Sequence, residues 1–67
     1  MKRFSVGQKL INESPLHGRF FGEAIETSDQ GCRGIVVITD DQGNVLDTYS
    51  GNAATFQASG EWQLIEE

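Results

Sequence analysis

The sequence is poor in the residues that usually staple a small domain. One cysteine, one proline, one histidine and one tryptophan occur among 67 residues. Cys32 alone cannot close an intramolecular disulfide, and Cys32 with His17 falls short of a Cys/His zinc set, so no metal and no cofactor is expected. Long apolar runs are missing too: the longest uninterrupted aliphatic stretch is Ile35 to Ile38. That is far below the ~20 residues of a membrane span, and no membrane association is expected. Met1-Lys2-Arg3-Phe4-Ser5 is basic, but no apolar stretch of signal-peptide length follows it. The expected location is the cytoplasm, with which an unpaired thiol agrees. Basic charge is scarce, with 5 Lys and Arg against 10 Asp and Glu and a net charge of -5. Lys2, Arg3, Lys9, Arg19 and Arg33 are scattered, so nucleic acid is not an expected partner.

No linker-like stretch divides the chain, and residues 1–67 read as a single domain. A domain of ~60 residues buries only about 60% of the surface its unfolded chain exposes. Disulfides, metals or partners commonly make up the deficit. With the first two excluded, association is the remaining option.

What is present is strand. The β-branched run Gly34-Ile35-Val36-Val37-Ile38-Thr39 is joined to Asn44-Val45-Leu46-Asp47-Thr48-Tyr49-Ser50 by Asp40-Asp41-Gln42-Gly43, which predicts a β-hairpin. Asp40 can accept backbone hydrogen bonds from the loop, and Gly43 supplies the left-handed residue of a three-residue loop with a bulge. With Asp40 opposite Asn44, the predicted pairs are Thr39 with Val45, Ile38 with Leu46, Val37 with Asp47, Val36 with Thr48 and Ile35 with Tyr49. Val36, Ile38 and Leu46 then share one face, and Ile35, Val37, Val45 and Tyr49 the other. Both faces are apolar, and both want cover.

Elsewhere, the alternation of Phe4, Val6, Gln8 and Leu10 predicts a first strand over 3–11, bent at Gly7-Gln8. Asn12 to Gly18 reads as a loop around Pro15, and its Asn12-Glu13-Ser14 sequon is taken as chance. Arg19 to Thr27 predicts a second strand bent at Gly22 and apolar on two sides, and Ser28 to Gly31 a turn. A turn or two of helix fits between Asn52 as cap and Gly60 as stop. Glu61 to Glu66 closes the chain as strand five, with Trp62 and Leu64 inward.

Five short strands with one helical turn before the last define the expected fold: all-β, antiparallel. Phe4-x-Val6-Gly7-Gln8-Lys9-Leu10 looks like the first strand of an SH3-like small barrel. Gly18-x-Phe20-x-Gly22-x-Ala24-Ile25 resembles its bent second strand, and Asn52 to Phe56 sits where such domains place a 3₁₀ turn. The resemblance spans most of the chain and implies a fold, which hosts peptide-binding, nucleic-acid-binding and oligomer-forming functions alike. The aromatic and acidic cluster by which SH3 domains hold proline-rich ligands is lacking on the first long loop, which speaks against polyproline binding.

Chemistry-bearing residues are few. His17 is a lone loop histidine without a partner in sequence, and Cys32 beside Arg33 reads as a small buried or half-buried strand residue more readily than as an activated thiol. Asp40, Asp41, Asn44 and Asp47 cluster at one turn, but their spacing is not that of a calcium loop. Glu23 and Glu26 read as a solvated acidic face rather than the paired carboxylates of a hydrolase. Trp62 and Phe20 are assigned to the core. Phe21, Ile25, Ile35, Val37, Tyr49 and Ile65 fall at the opposite parity, and an outward apolar set of that size marks an interface.

The expected function is therefore a non-enzymatic protein-binding or adaptor module, its partner another protein or a second copy in a homodimer. The alternative is a small enzyme subunit or inhibitor active only as an oligomer. Burying ~500 Å² of apolar surface per partner contributes on the order of 10 kcal/mol before association entropy is subtracted, a large quantity for so small a domain.

Overall fold

Asp40 governs the central hairpin. In the computed structural model, which describes residues 3–16, 18–58, 60 and 62–65, its Oδ1 accepts the backbone N–H groups of Gln42 and Asn44, both at 2.9 Å. Its Oδ2 accepts Asn44 Nδ2 at 3.0 Å. The Gly43 N–H closes the turn on the Asp40 carbonyl at 3.2 Å, with Gly43 at φ +87 as the three-residue loop requires. The Asp40 N–H donates to the Asn44 carbonyl at 3.0 Å, which is the expected closure.

Around that turn the chain forms β1 (Lys9–Ser14), β2 (Gly18–Ser28), β3 (Arg33–Thr39), β4 (Val45–Asn52), α1 (Ala53–Ala58) and β5 (Gln63–Leu64). All pairings are antiparallel, and the order across the 5-stranded sheet is β4-β3-β2-β1-β5. The protein is thus all-β with one short helical piece before the last strand. β4 and β5 stand at opposite ends of that order and do not pair, so the sheet is open rather than a closed barrel.

The β2–β3 connection is a tight turn over 29–32, closed by the Ser28–Arg33 pair. Asp29 (φ 53), Gln30 (φ 59) and Gly31 (φ 91) are all left-handed, and the Cys32 N–H donates to the Asp29 carbonyl at 3.1 Å. Gly31 is obligatory for a second reason: a Cβ there would lie 2.5 Å from the Phe4 carbonyl oxygen. The close approach exists because the Phe4 N–H donates to the Gly31 carbonyl at 2.7 Å, tying the N-terminal segment across the turn.

Several sequence expectations are corrected. The first strand begins at Lys9, because Ser5 to Gln8 closes a turn through the Gln8 N–H and the Ser5 carbonyl at 3.0 Å. It runs on through Asn12-Glu13-Ser14, which pair with Phe20, Arg19 and Gly18 instead of forming a loop. The irregularity in β2 falls at Ile25, between Ala24 and Glu26, and not at Gly22.

The central hairpin also departs from the simple register. Thr39 pairs with Val45 as expected, but Leu46 is an extra residue, so Ile38 pairs with Asp47, Val37 with Thr48, Val36 with Tyr49 and Ile35 with Ser50. The bulge exchanges the faces of β4. Leu46 is 52% exposed, and Tyr49 turns to the core side, where its ring meets Phe56 at 4.9 Å. An aromatic ring buries more apolar surface than leucine does, which favours the bulged arrangement.

The core is Phe4, Leu10, Ala24, Val36, Ala53, Phe56 and Trp62, with Phe20, Ile38 and Tyr49 packed against it. Phe56 is central: its ring lies edge-on to Phe4 at 5.7 Å and stacks on Trp62 at 4.9 Å. Gln57 Nε2 donates to the Trp62 carbonyl at 2.8 Å and holds the segment after α1 in place. Leu64, expected inside, is 47% exposed; it pairs with Leu10 but sits in the last strand of the sheet.

Candidate functional site: an apolar groove on the outer face of the sheet

The register builds the site. Lys9, Glu23 and Val37 lie side by side across β1, β2 and β3, and Ile11, Phe21 and Thr39 form the next row. Neighbours in such a row project from the same face. The intervening row of Leu10, Gly22 and Ile38 faces the core. Outward rows thus carry Phe21 and Val37 to the side opposite Phe56 and Trp62.

Two further apolar residues complete a groove there. Ile25, the extra residue of the β2 bulge, is 49% exposed and projects beside Val37. Ile65, 38% exposed, is fixed by its N–H on the Lys9 carbonyl at 2.9 Å. Phe21, Ile25, Val37 and Ile65 form the apolar walls of a groove of about 280 Å³, and Lys9, Glu23 and Thr39 give it polar edges.

Four of the six outward residues read from sequence therefore come together. Ile35 shares the outer face but lies one row farther along, in a more polar cleft of about 280 Å³ with Glu26, Arg33 and Ser50. Tyr49 belongs to the other side altogether: it packs on Phe56, and its hydroxyl donates to the Asn52 carbonyl at 2.7 Å. Only the bulge at Leu46 could have revealed this, and no local residue signal announces it. Lys9 and Thr39, which sequence reading passed over, become groove residues through register alone.

The remaining candidates have local roles. Asp40 is held below its ordinary carboxyl range, first by the Asn44 side-chain amide and then by the Asn44 backbone N–H, with Gln42 and Gly43 adding to the effect. Its carboxylate serves the turn. Glu23 and Glu26 stand opposite Val37 and Ile35 in successive outward rows and line different clefts. Cys32, expected as a buried or half-buried strand residue, is instead exposed in the turn just before β3, and its carbonyl accepts the Ala53 N–H at 2.9 Å at the start of α1. His17 lies outside the described residues. Among the described residues, no group of three or more His, Cys, Asp and Glu is placed to hold a metal ion, and no helix is long and apolar enough to cross a membrane. Apolar contact with a ligand is the chemistry this arrangement offers.

No protein-family model, curated protein or solved structure matches the chain.

Proposed function

We propose that this chain is a non-enzymatic protein-binding module that holds its partner in the groove walled by Phe21, Ile25, Val37 and Ile65. The observation that carries the reading is the gathering of four large apolar side chains on the solvent side of the sheet, opposite a complete core. Exposed apolar patches of this kind mark interaction sites, and their burial drives association. The SH3-like reading of the fold is supported by the strand order, in which the last strand pairs with the first beside a three-strand meander, and by the helical turn before the last strand. The partner is another protein or a second copy of the chain, with nucleic acid disfavoured by the net charge of -5. A reducing, cytoplasmic setting suits the exposed Cys32 thiol.

The test is capture on the immobilised chain from a lysate of its host, run beside a Phe21→Ser, Val37→Asp variant whose near-ultraviolet circular dichroism confirms an intact core. A partner retained by the wild type and lost by the variant is expected. Equal retention by both would remove the groove from consideration. Light scattering on a sizing column at tens of micromolar reads self-association in the same pair of proteins.

A further inference from the structure

The outward rows of the sheet read the same from either side once charge is reversed. Ile65 follows β5, and its N–H on the Lys9 carbonyl places it at the end of the row that continues through Lys9, Glu23 and Val37. The order across that row is apolar, basic, acidic, apolar. The next row is Gln63, Ile11, Phe21 and Thr39, which runs polar, apolar, apolar, polar. In the third, Glu13 on β1 stands opposite Arg19 on β2. Among the described residues, no ion pair or hydrogen bond engages the Lys9, Glu13, Arg19 or Glu23 side chain.

A two-fold axis lying in an interface, parallel to β1 and β2 and between them, brings each β1 residue over its β2 neighbour in a second copy. Lys9 then meets Glu23 of the other chain, Glu13 meets Arg19, Ile11 meets Phe21 and Ile65 meets Val37, each contact being made twice. Any strand pair can be stacked on itself in this way, but only one whose facing residues are opposite in charge or alike in polarity gains by it. Every row here meets that condition. The two basic and two acidic side chains involved cancel, so the net charge of -5 lies wholly outside these rows. The rest of the surface, acidic on balance, repels a second copy.

We propose that the groove face takes a second copy of this chain, stacked sheet on sheet about a two-fold axis between β1 and β2. The proposal rests on the groove being a binding surface, and it names the occupant. Stacked sheets cross at about 30°, a rotation that displaces least the residues nearest the centre of the contact. Four strands and three outward rows span roughly 20 Å by 20 Å, on the order of 400 Å² from each copy. That is the small end of specific interfaces, so the dimer should form at tens to hundreds of micromolar.

The experiment is sedimentation equilibrium of the full chain over that range, for the wild type, Lys9→Glu and Glu23→Lys. Both positions are exposed, and near-ultraviolet circular dichroism reads whether each variant keeps the fold. Each variant sets like charges together twice in its own dimer and should weaken association about tenfold or more. Mixed in equal amounts, the two regain every opposite pair between chains while each keeps its like pair within the chain, so association should return toward the wild-type level. That recovery separates contact between copies from pairing within one sheet. Loss without recovery on mixing, a wild type that stays monomeric at several hundred micromolar, or a dimer indifferent to both variants overturns the proposal. If either variant does not fold, Glu13→Arg and Arg19→Glu decide by the same readings. The groove reading is judged separately: a host protein retained by a monomeric wild type and lost by the Phe21→Ser, Val37→Asp variant leaves that reading standing and removes the second copy.

Discussion

Gly22 leaves room for the Val36 side chain. A Cβ added to Gly22 would lie 3.0 Å from Val36 Cγ1, a tight approach to a fully buried side chain, and 3.4 Å from Trp62 Cζ3. Gly22→Ala is therefore expected to overpack the core and to destabilise the fold by ~1–3 kcal/mol. Urea unfolding followed by tryptophan fluorescence measures it, and a midpoint equal to that of the wild type would show that the Val36 side chain gives way.

Phe56 joins Phe4, Tyr49 and Trp62 through ring contacts. Truncating it to alanine should cost ~3–5 kcal/mol, which is comparable to the whole stability available to a domain of this size. Phe56→Ala should be largely unfolded at 25 °C by near-ultraviolet circular dichroism, while Phe56→Leu should remain folded with a lowered midpoint.

The turn should soften in acid. Asp40 titrates in the folded chain below its ordinary value of 3.8, so its contribution to stability is complete above that value. The contribution is lost as pH falls from there through the folded value. Below about pH 4 the wild type should lose stability relative to Asp40→Asn, which keeps one acceptor and cannot titrate. In Asn44→Ala the Asp40 titration, followed by nuclear magnetic resonance, should move upward, because the largest cause of its depression is removed. A titration unmoved by that change would assign the effect to the backbone amides alone.

Binding to nucleic acid should be absent. Five basic side chains face ten acidic ones, and few phosphates could be neutralised together. Micromolar retention of duplex or single-stranded DNA in a shift assay near ~150 mM salt would contradict this.

How much was legible in the sequence depends on how local each determinant is. The Asp40–Gly43 turn, the α1 helix between Asn52 and Gly60 and the second strand are specified by neighbouring residues, and all appear where their residues put them. The two bulges are different. Whether Leu46 or Tyr49 faces inward depends on what lies above β4, and Phe56 belongs to a later element. Ile25 likewise joins the groove as the unpaired residue opposite β3, which parity counting along β2 cannot distinguish from ordinary alternation. Phe21 and Val37 were legible as outward because no bulge separates them from the rows that place them. Ile35 kept its face but joined a different cleft, since the groove is bounded along β3 by contacts from β1 and Ile65.

The pairing of β5 with β1 has a kinetic consequence. β2, β3 and β4 meet through short hairpins, whereas Leu10 meets Leu64 from near the other end of the chain, and only two residues of β5 are paired. Closing so long a loop for so few bonds makes this contact slow to form and easy to open. The meander should condense first and the strap carrying Trp62 and Ile65 should dock last. Because Ile65 is one wall of the groove, partner binding should favour the docked strap, slowing its opening and making ligand occupancy visible as a reduced unfolding rate.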